Sequence, residues 1–152
     1  MSLIDDLYQD IILDHYQNPR NHRRLEHPDV HAEGVNPLCG DQLDLGLKLR
    51  GDVIEEIGIG GKGCSISQAS ASLMSEAVKG KSIAEAQALT HRFKGMLTRG
   101  EAPEWEEEYE ELGALAGVKQ LPVRIKCALL AWETLLQGLH AREGDTKLVV
   151  SE

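Results

Sequence analysis

Leu43-Asp44-Leu45-Gly46-Leu47-Lys48-Leu49-Arg50-Gly51-Asp52-Val53-Ile54-Glu55-Glu56-Ile57-Gly58-Ile59 is the stretch that decides the fold. Leu43, Leu45, Leu47 and Leu49 alternate with Asp44, Gly46, Lys48 and Arg50, the period of a strand with one buried face. Gly51-Asp52 supplies a turn, and residues 53–59 return as a partner strand with less regular alternation. A hairpin therefore sits near the middle of the chain. Behind it Gly58-Ile59-Gly60-Gly61-Lys62-Gly63 forms a glycine-rich bend that ends at Cys64.

On either side of the hairpin the period becomes helical. Ile4, Leu7, Tyr8, Ile11, Ile12 and His15 repeat at helix spacing, with Ser2 and Asp5 resembling a capping box at the start. That helix should stop before Asn18-Pro19, because the residue before proline is pushed out of the α region. Residues 19–37, rich in Pro, Asn, His and Arg, read as an irregular connection. Residues 65–79 carry Ile66, Ala69, Leu73 and Ala77 on one face, with Gly80 as a C-terminal stop. Ser82 and Glu85 make a second capping box and open a helix to about Leu97. A short helix is expected around 104–112, and a long one from Leu121-Pro122 through His140, where proline is tolerated in the first turn. The last ten or so residues read as a frayed, polar tail. The order predicts an α+β fold, a small antiparallel sheet packed against several helices. Its 152 residues are expected to make one domain, 1–152.

Charge removes whole classes of partner. The formal net charge is −9, and Glu101, Glu104, Glu106, Glu107, Glu108, Glu110 and Glu111 concentrate it in one stretch. No basic patch supplies the counterion-release term that nucleic-acid binding needs, so no nucleic acid is expected as partner. Anionic membrane surfaces are disfavoured on the same ground. No apolar run approaches the ~20 residues of a membrane span, and the N-terminus has neither a basic nor an apolar leader region. These features predict a cytoplasmic protein with reduced thiols.

Gly58, Gly60 and Gly63 satisfy the G-x-G-x-x-G pattern between a strand and a helix. A dinucleotide site also needs a second strand after the helix, and here another helix follows. The glycines are read instead as a tight strand-to-helix bend.

The cysteines are the candidate chemistry. Cys39, Cys64 and Cys127 are odd in number and widely spaced, which is no disulfide framework. Asp41 follows Cys39 by two, so in extended backbone both side chains point to one side and can converge on an ion. Taken alone, Asp41 better suits bonding its own backbone in a turn. Cys64 opens a predicted helix, where the dipole favours thiolate; the alternative is a small buried hydrophobe. Cys127 falls off the centre of the stripe Ile125, Ala128, Leu129, Trp132, Leu135, Leu136 and Leu139, which suits a ligand or nucleophile better than filler. Three thiols and a carboxylate make a four-coordinate set for Zn²⁺ or for iron and sulfide. The histidines show no metal-ligand pairing, and His15 reads as a hydrogen-bonded structural residue.

Three segments carry a family resemblance. Asn36-Pro37-Leu38-Cys39-Gly40-Asp41, Gly61-Lys62-Gly63-Cys64-Ser65-Ile66-Ser67 and Arg124-Ile125-Lys126-Cys127-Ala128 resemble the three cysteine motifs of U-type iron–sulfur cluster assembly proteins, the NifU N-terminal-like or IscU family. Asp14-His15-Tyr16-Gln17-Asn18-Pro19-Arg20-Asn21 resembles the segment closing that family's first helix. The chain looks closest to the SufU type, because Lys126 stands where the IscU type carries histidine and an acidic insertion occupies about 99–120.

The resemblance implies a SufE/NifU-like α+β fold that holds Zn²⁺ through Cys39, Asp41, Cys64 and Cys127. It implies a sulfur acceptor for a pyridoxal-phosphate (PLP)-dependent cysteine desulfurase, with Cys39 as the persulfide carrier, acting at most as a zinc-dependent sulfurtransferase. Downstream iron–sulfur assembly or recipient proteins would take the product. The alternative is a scaffold on which a [2Fe–2S] or [4Fe–4S] cluster is assembled on Cys39, Cys64 and Cys127.

Overall fold

The computed structural model describes residues 3–141 and 146–150, with side chains for 8–140. The elements in chain order are α1 (Leu3–Gln17), β1 (Val30–Asn36), β2 (Asp41–Arg50), β3 (Val53–Lys62), α2 (Ser65–Val78), α3 (Ile83–Thr98), a 3-10 segment (Glu107–Gln120), α4 (Pro122–Ala141) and β4 (Thr146–Val150). The sheet order is β3-β2-β1-β4. β1, β2 and β3 are antiparallel neighbours, and β4 runs parallel to β1 at the edge.

The expected hairpin is present, and its irregular second strand has a cause. Leu45 pairs with Ile59 and Leu47 with Ile57, but the register shifts beyond Lys48, where Glu55 is the extra residue on β3. A bulge of this kind resets the alternation, so Ile54 and Ile57, three apart, both reach the core. The glycine-rich stretch continues β3 to Lys62 rather than bending away after Ile59.

Two expectations are corrected. Residues 19–37 are not wholly irregular, since Val30–Asn36 is a strand with Val30, Ala32, Gly34 and Asn36 facing inward. Small and polar residues at those positions gave the strand no apolar signature. The reason for the small residues is α4: a Cβ at Gly34 would lie 2.2 Å from Thr134 Oγ1. The tail is not simply frayed either, because Thr146–Val150 adds backbone hydrogen bonds to β1.

The helices cover one face of the sheet. Leu43, Leu45, Leu47, Ile54 and Ile57 meet Leu73, Met74, Leu130, Leu135 and Leu139 in one core. Phe93 of α3 stacks on Trp132 of α4 with ring centroids 4.5 Å apart. The Ser82–Glu85 capping box forms as expected; the Ser2 cap lies outside the described residues. The acidic stretch is longer and more buried than the short helix expected at 104–112. Leu112, Ala114, Leu115 and Val118 are buried, so this segment completes the core.

Candidate metal centre

β1 and β2 end at one edge of the sheet, where Asn36 pairs in register with Asp41. Between them Pro37-Leu38-Cys39-Gly40 makes the turn. Cys39 N donates to Asn36 O at 3.3 Å, and Gly40 has φ +71°, which a residue with a Cβ adopts only at a cost. Cys39 is half-buried at this corner, and Leu38 beside it is 70% exposed.

The second turn of α4 reaches the same corner. Cys127 is fully buried, and its Sγ lies 3.3 Å from Cys39 Sγ. Donor atoms of Cys39, Asp41 and Cys127 all fall within 4.8 Å of one another. Cys64 is the N-cap of α2 and stands outside that group of three. Its Sγ accepts from Ser67 N at 3.5 Å, and its backbone N–H donates to Asp41 Oδ1 at 2.9 Å. Asp41, 1% exposed, is thus anchored through one oxygen, which also accepts from Ser67 Oγ at 3.1 Å. Its other oxygen accepts from Asn36 Nδ2 at 3.2 Å.

The electrostatics follow from burial. Desolvation pushes the Cys127 thiol far above the ordinary range, and hydrogen bonds with Cys39 and Asp41 push the same way. Arg124, one turn before Cys127, is raised by its hydrogen bond to that sulfur and by the charges of Cys64, Cys127 and Cys39. A guanidinium at the rim sets a positive charge beside these sulfurs.

The donor set fits a tetrahedral soft-to-borderline cation. With Zn–S bonds of about 2.3 Å, two ligating sulfurs stand about 3.8 Å apart, so the Cys39–Cys127 pair needs to part only slightly. Asp41 Oδ2 lies on the side of the carboxylate not engaged by Cys64 and Ser67.

Several features were not read from the sequence. Gly63 allows close approach: a Cβ there would lie 2.4 Å from Ser67 Oγ and 2.5 Å from Asp41 Oδ1. Arg124 stands three residues before Cys127, a spacing that shares a helix face and would have drawn attention to it. Ser67 stands three after the N-cap Cys64, the position where capping bonds form. The off-stripe argument for Cys127 fails as stated, because α4 is buried on two sides. Leu130, Ala131 and Thr134 are as buried as Trp132 and Leu135.

His15 has the structural role expected. Its Nδ1 lies 2.7 Å from Ser72 Oγ and its Nε2 3.0 Å from Glu111 Oε1. A second group, His31, Glu33 and Asp44, brings its donors within 4.8 Å on the solvent side of β1 and β2. There His31 Nε2 hydrogen-bonds Asp44, an ordinary cross-strand contact.

Known proteins resemble the chain in sequence and in fold. The NifU-like N-terminal domain matches residues 7–128. The zinc-dependent sulfurtransferase SufU of Bacillus subtilis is 41% identical over 143 residues, covering 93% of this chain and 95% of that protein. The iron–sulfur cluster assembly scaffold protein IscU of Streptococcus pyogenes serotype M1 is 40% identical over 139 residues, covering 91% and 86%. Among solved structures, a nitrogen-fixing NifU-like protein (N-terminal) from Brucella abortus superposes with a TM-score of 0.81 at 27% identity, covering 91% of this chain and 96% of that one.

Proposed function

The chain belongs to the NifU-like N-terminal domain family, and from that premise we propose that it is a zinc-bound sulfur acceptor in iron–sulfur cluster assembly. The observation that carries this reading is the pair of thiols, Cys39 and Cys127, 3.3 Å apart with the Asp41 carboxylate beside them. In this reading Cys39, Asp41, Cys64 and Cys127 hold Zn²⁺, and the sulfur donor is a persulfide on a PLP-dependent cysteine desulfurase. The whole chain acts as one domain of this family, with 99–120 as its insertion. It works in the cytoplasm and hands sulfur to downstream iron–sulfur assembly proteins. No helix among the described residues is long and apolar enough to cross a membrane.

Bound zinc keeps its thiolates deprotonated and protected from oxidation near neutral pH. The remaining chemistry belongs to the chain. Cys39 sits in a turn next to Gly40, so its thiolate can swing outward while Cys127 stays fixed in α4. Asp41 is held by Cys64 N, Ser67 Oγ and Asn36 Nδ2 and stays in place. The Cys39 thiolate attacks the outer sulfur of the donor persulfide. A new S–S bond forms on Cys39, the donor's S–S bond breaks, and the donor cysteine leaves as thiolate. Leu38 and Val123, 70% and 58% exposed, flank the two thiols and offer an apolar rim to the donor enzyme.

A scaffold function, with an iron–sulfur cluster as product held by the same cysteines, is favoured by the name of the Streptococcus pyogenes relative. Metal and sulfide analysis of protein purified without oxygen separates the two. About one zinc per chain, and persulfide on Cys39 after incubation with desulfurase and cysteine, supports the acceptor. Iron with acid-labile sulfide supports the scaffold.

A further inference from the structure

Asn36 touches three of the four residues of this centre. Its carbonyl oxygen accepts from Cys39 N at 3.3 Å and so fixes the turn that carries the mobile thiol. Its side-chain Nδ2 donates to Asp41 Oδ2 at 3.2 Å and lies 3.6 Å from Cys127 Sγ, within hydrogen-bond range of sulfur. One amide nitrogen thereby links β2 to α4, elements that reach this corner from opposite sides of the core.

The side chain is 0% exposed, and its Oδ1 meets no donor among the described residues. A buried, unpaired carbonyl oxygen works against stability. An apolar residue would remove that cost but would leave Asp41 Oδ2 without its donor. Packing therefore does not account for asparagine here, whereas the two contacts of Nδ2 do. Aspartate in its place would set an oxygen anion against Asp41 and the Cys127 sulfur.

We propose that Asn36 is a positioning residue whose buried carboxamide holds Asp41 and Cys127 in register for the metal while Cys39 comes and goes. The inference rests on the reading of Cys39, Asp41, Cys64 and Cys127 as a metal centre. It adds a residue outside the ligand set that keeps the other ligands in place once Cys39 has left. Outer partners of this kind typically change metal affinity about 10–100-fold when removed.

The test uses the full chain stripped of metal and titrated with Co²⁺, whose thiolate charge-transfer and d–d bands report ligand number and geometry. Asn36→Leu keeps the branching of the side chain and removes both polar groups. Its metal-free thermal midpoint should fall only modestly, because the lost donor to Asp41 Oδ2 is partly offset by removal of the unpaired Oδ1. Its Co²⁺ affinity should fall about 10–100-fold with weakened, shifted bands, and most steeply when Cys39→Ser is added. Should Asn36→Leu not fold, Asn36→Ser is read in the same way, since its hydroxyl is too short to span Asp41 and Cys127. Affinity and bands unchanged in a folded Asn36 variant overturn the proposal. So does an affinity loss that merely tracks loss of metal-free stability in both variants. Failure of the unaltered protein to take up Co²⁺ overturns the metal centre and this inference together, whereas equal binding by all variants overturns this inference alone.

Discussion

Cys39 Sγ and Cys127 Sγ lie 3.3 Å apart although 88 positions separate them in the chain. The two thiols arrive on unlike supports, one in a glycine-flanked turn and the other in the second turn of a buried helix. That difference assigns them different work. Cys39→Ser should abolish persulfide on the protein and leave the fold in place, because the side chain is half-buried at an edge. Cys127→Ser should chiefly loosen the metal. Peptide mass spectrometry after incubation with desulfurase and cysteine locates the sulfur. Its persistence on Cys127 in Cys39→Ser would assign the wrong thiol to the acceptor role.

Metal uptake should expel protons. Burial, with help from Cys39 and Asp41, raises the Cys127 thiol above its ordinary value of 9.0, so it is protonated through the neutral range and must lose its proton to bind. That thiol alone should make affinity rise about tenfold per pH unit, with about one proton released per ion, and any other thiol protonated in the free protein adds to both. Chelator competition at three pH values measures the slope. The linkage for the metal-free protein has the opposite sense. Its folded form holds the proton more tightly than the unfolded chain, so the stabilisation is complete below about pH 9 and is lost as pH rises further.

Gly63→Ala should damage the centre through space alone. Gly63 needs no positive φ, but its Cβ would press on Ser67 Oγ and Asp41 Oδ1 at 2.4 and 2.5 Å. Ser67 can rotate away; Asp41, 1% exposed and held by three donors, cannot. The expected result is poor metal retention and a stability loss of about 1–3 kcal/mol. Gly60→Ala is the control, since nothing lies within 4 Å of its Cβ, and it should change stability by less than about 0.5 kcal/mol. Two glycines of the same nucleotide-like pattern would then behave differently because one borders the carboxylate and the other open space.

The hairpin, the four helices and the capping box at Ser82 were legible because each rests on local signals: period, proline, glycine and cap. β1 and β4 were not. β1 faces α4 with Gly34 and ends in Asn36, residues chosen by a helix a hundred positions away, and β4 is defined by its parallel partner. Convergence of Cys39 with Cys127 is equally non-local, and only the motif resemblance pointed to it. The serines of α2 show the same limit. Ser70 and Ser72 carry no sequence signal of burial, yet both are buried. Ser70 accepts from Trp132 Nε1, and Ser72 meets His15 and Arg20 N. Composition does not distinguish a solvated serine from one that satisfies a buried neighbour.

The acidic insertion should prove to be part of the core. A stretch this acidic suits a solvated helix, or else a segment that docks on the desulfurase or shields the metal face, and burial of Leu112 and Leu115 adds a further role, closing the protein's own helical layer. Three of its carboxylates tie it to that layer at the surface, Glu108 to Lys81, Glu106 to Arg92 and Glu111 to His15. Arg92 also lies over the Trp105 ring, 4.7 Å from its centroid. Deleting 101–112 would therefore remove core and confound any activity measurement. Leu115→Ala should cost about 2–5 kcal/mol, while Glu108→Gln, which removes an exposed pair, should change stability far less. Arg92 holds the Glu106 carboxyl below its ordinary value of 4.5. That ion pair is intact above this value and is lost as pH falls through the lowered one, so protection of the 104–120 amides relative to their intrinsic exchange rates should fall only in acid. Replacing Glu104, Glu107 and Glu110 together by Gln keeps the buried side and alters the outer one. Desulfurase activation should then be unchanged; a loss, with exchange over 104–120 still slow, would show that the outer face meets the partner after all.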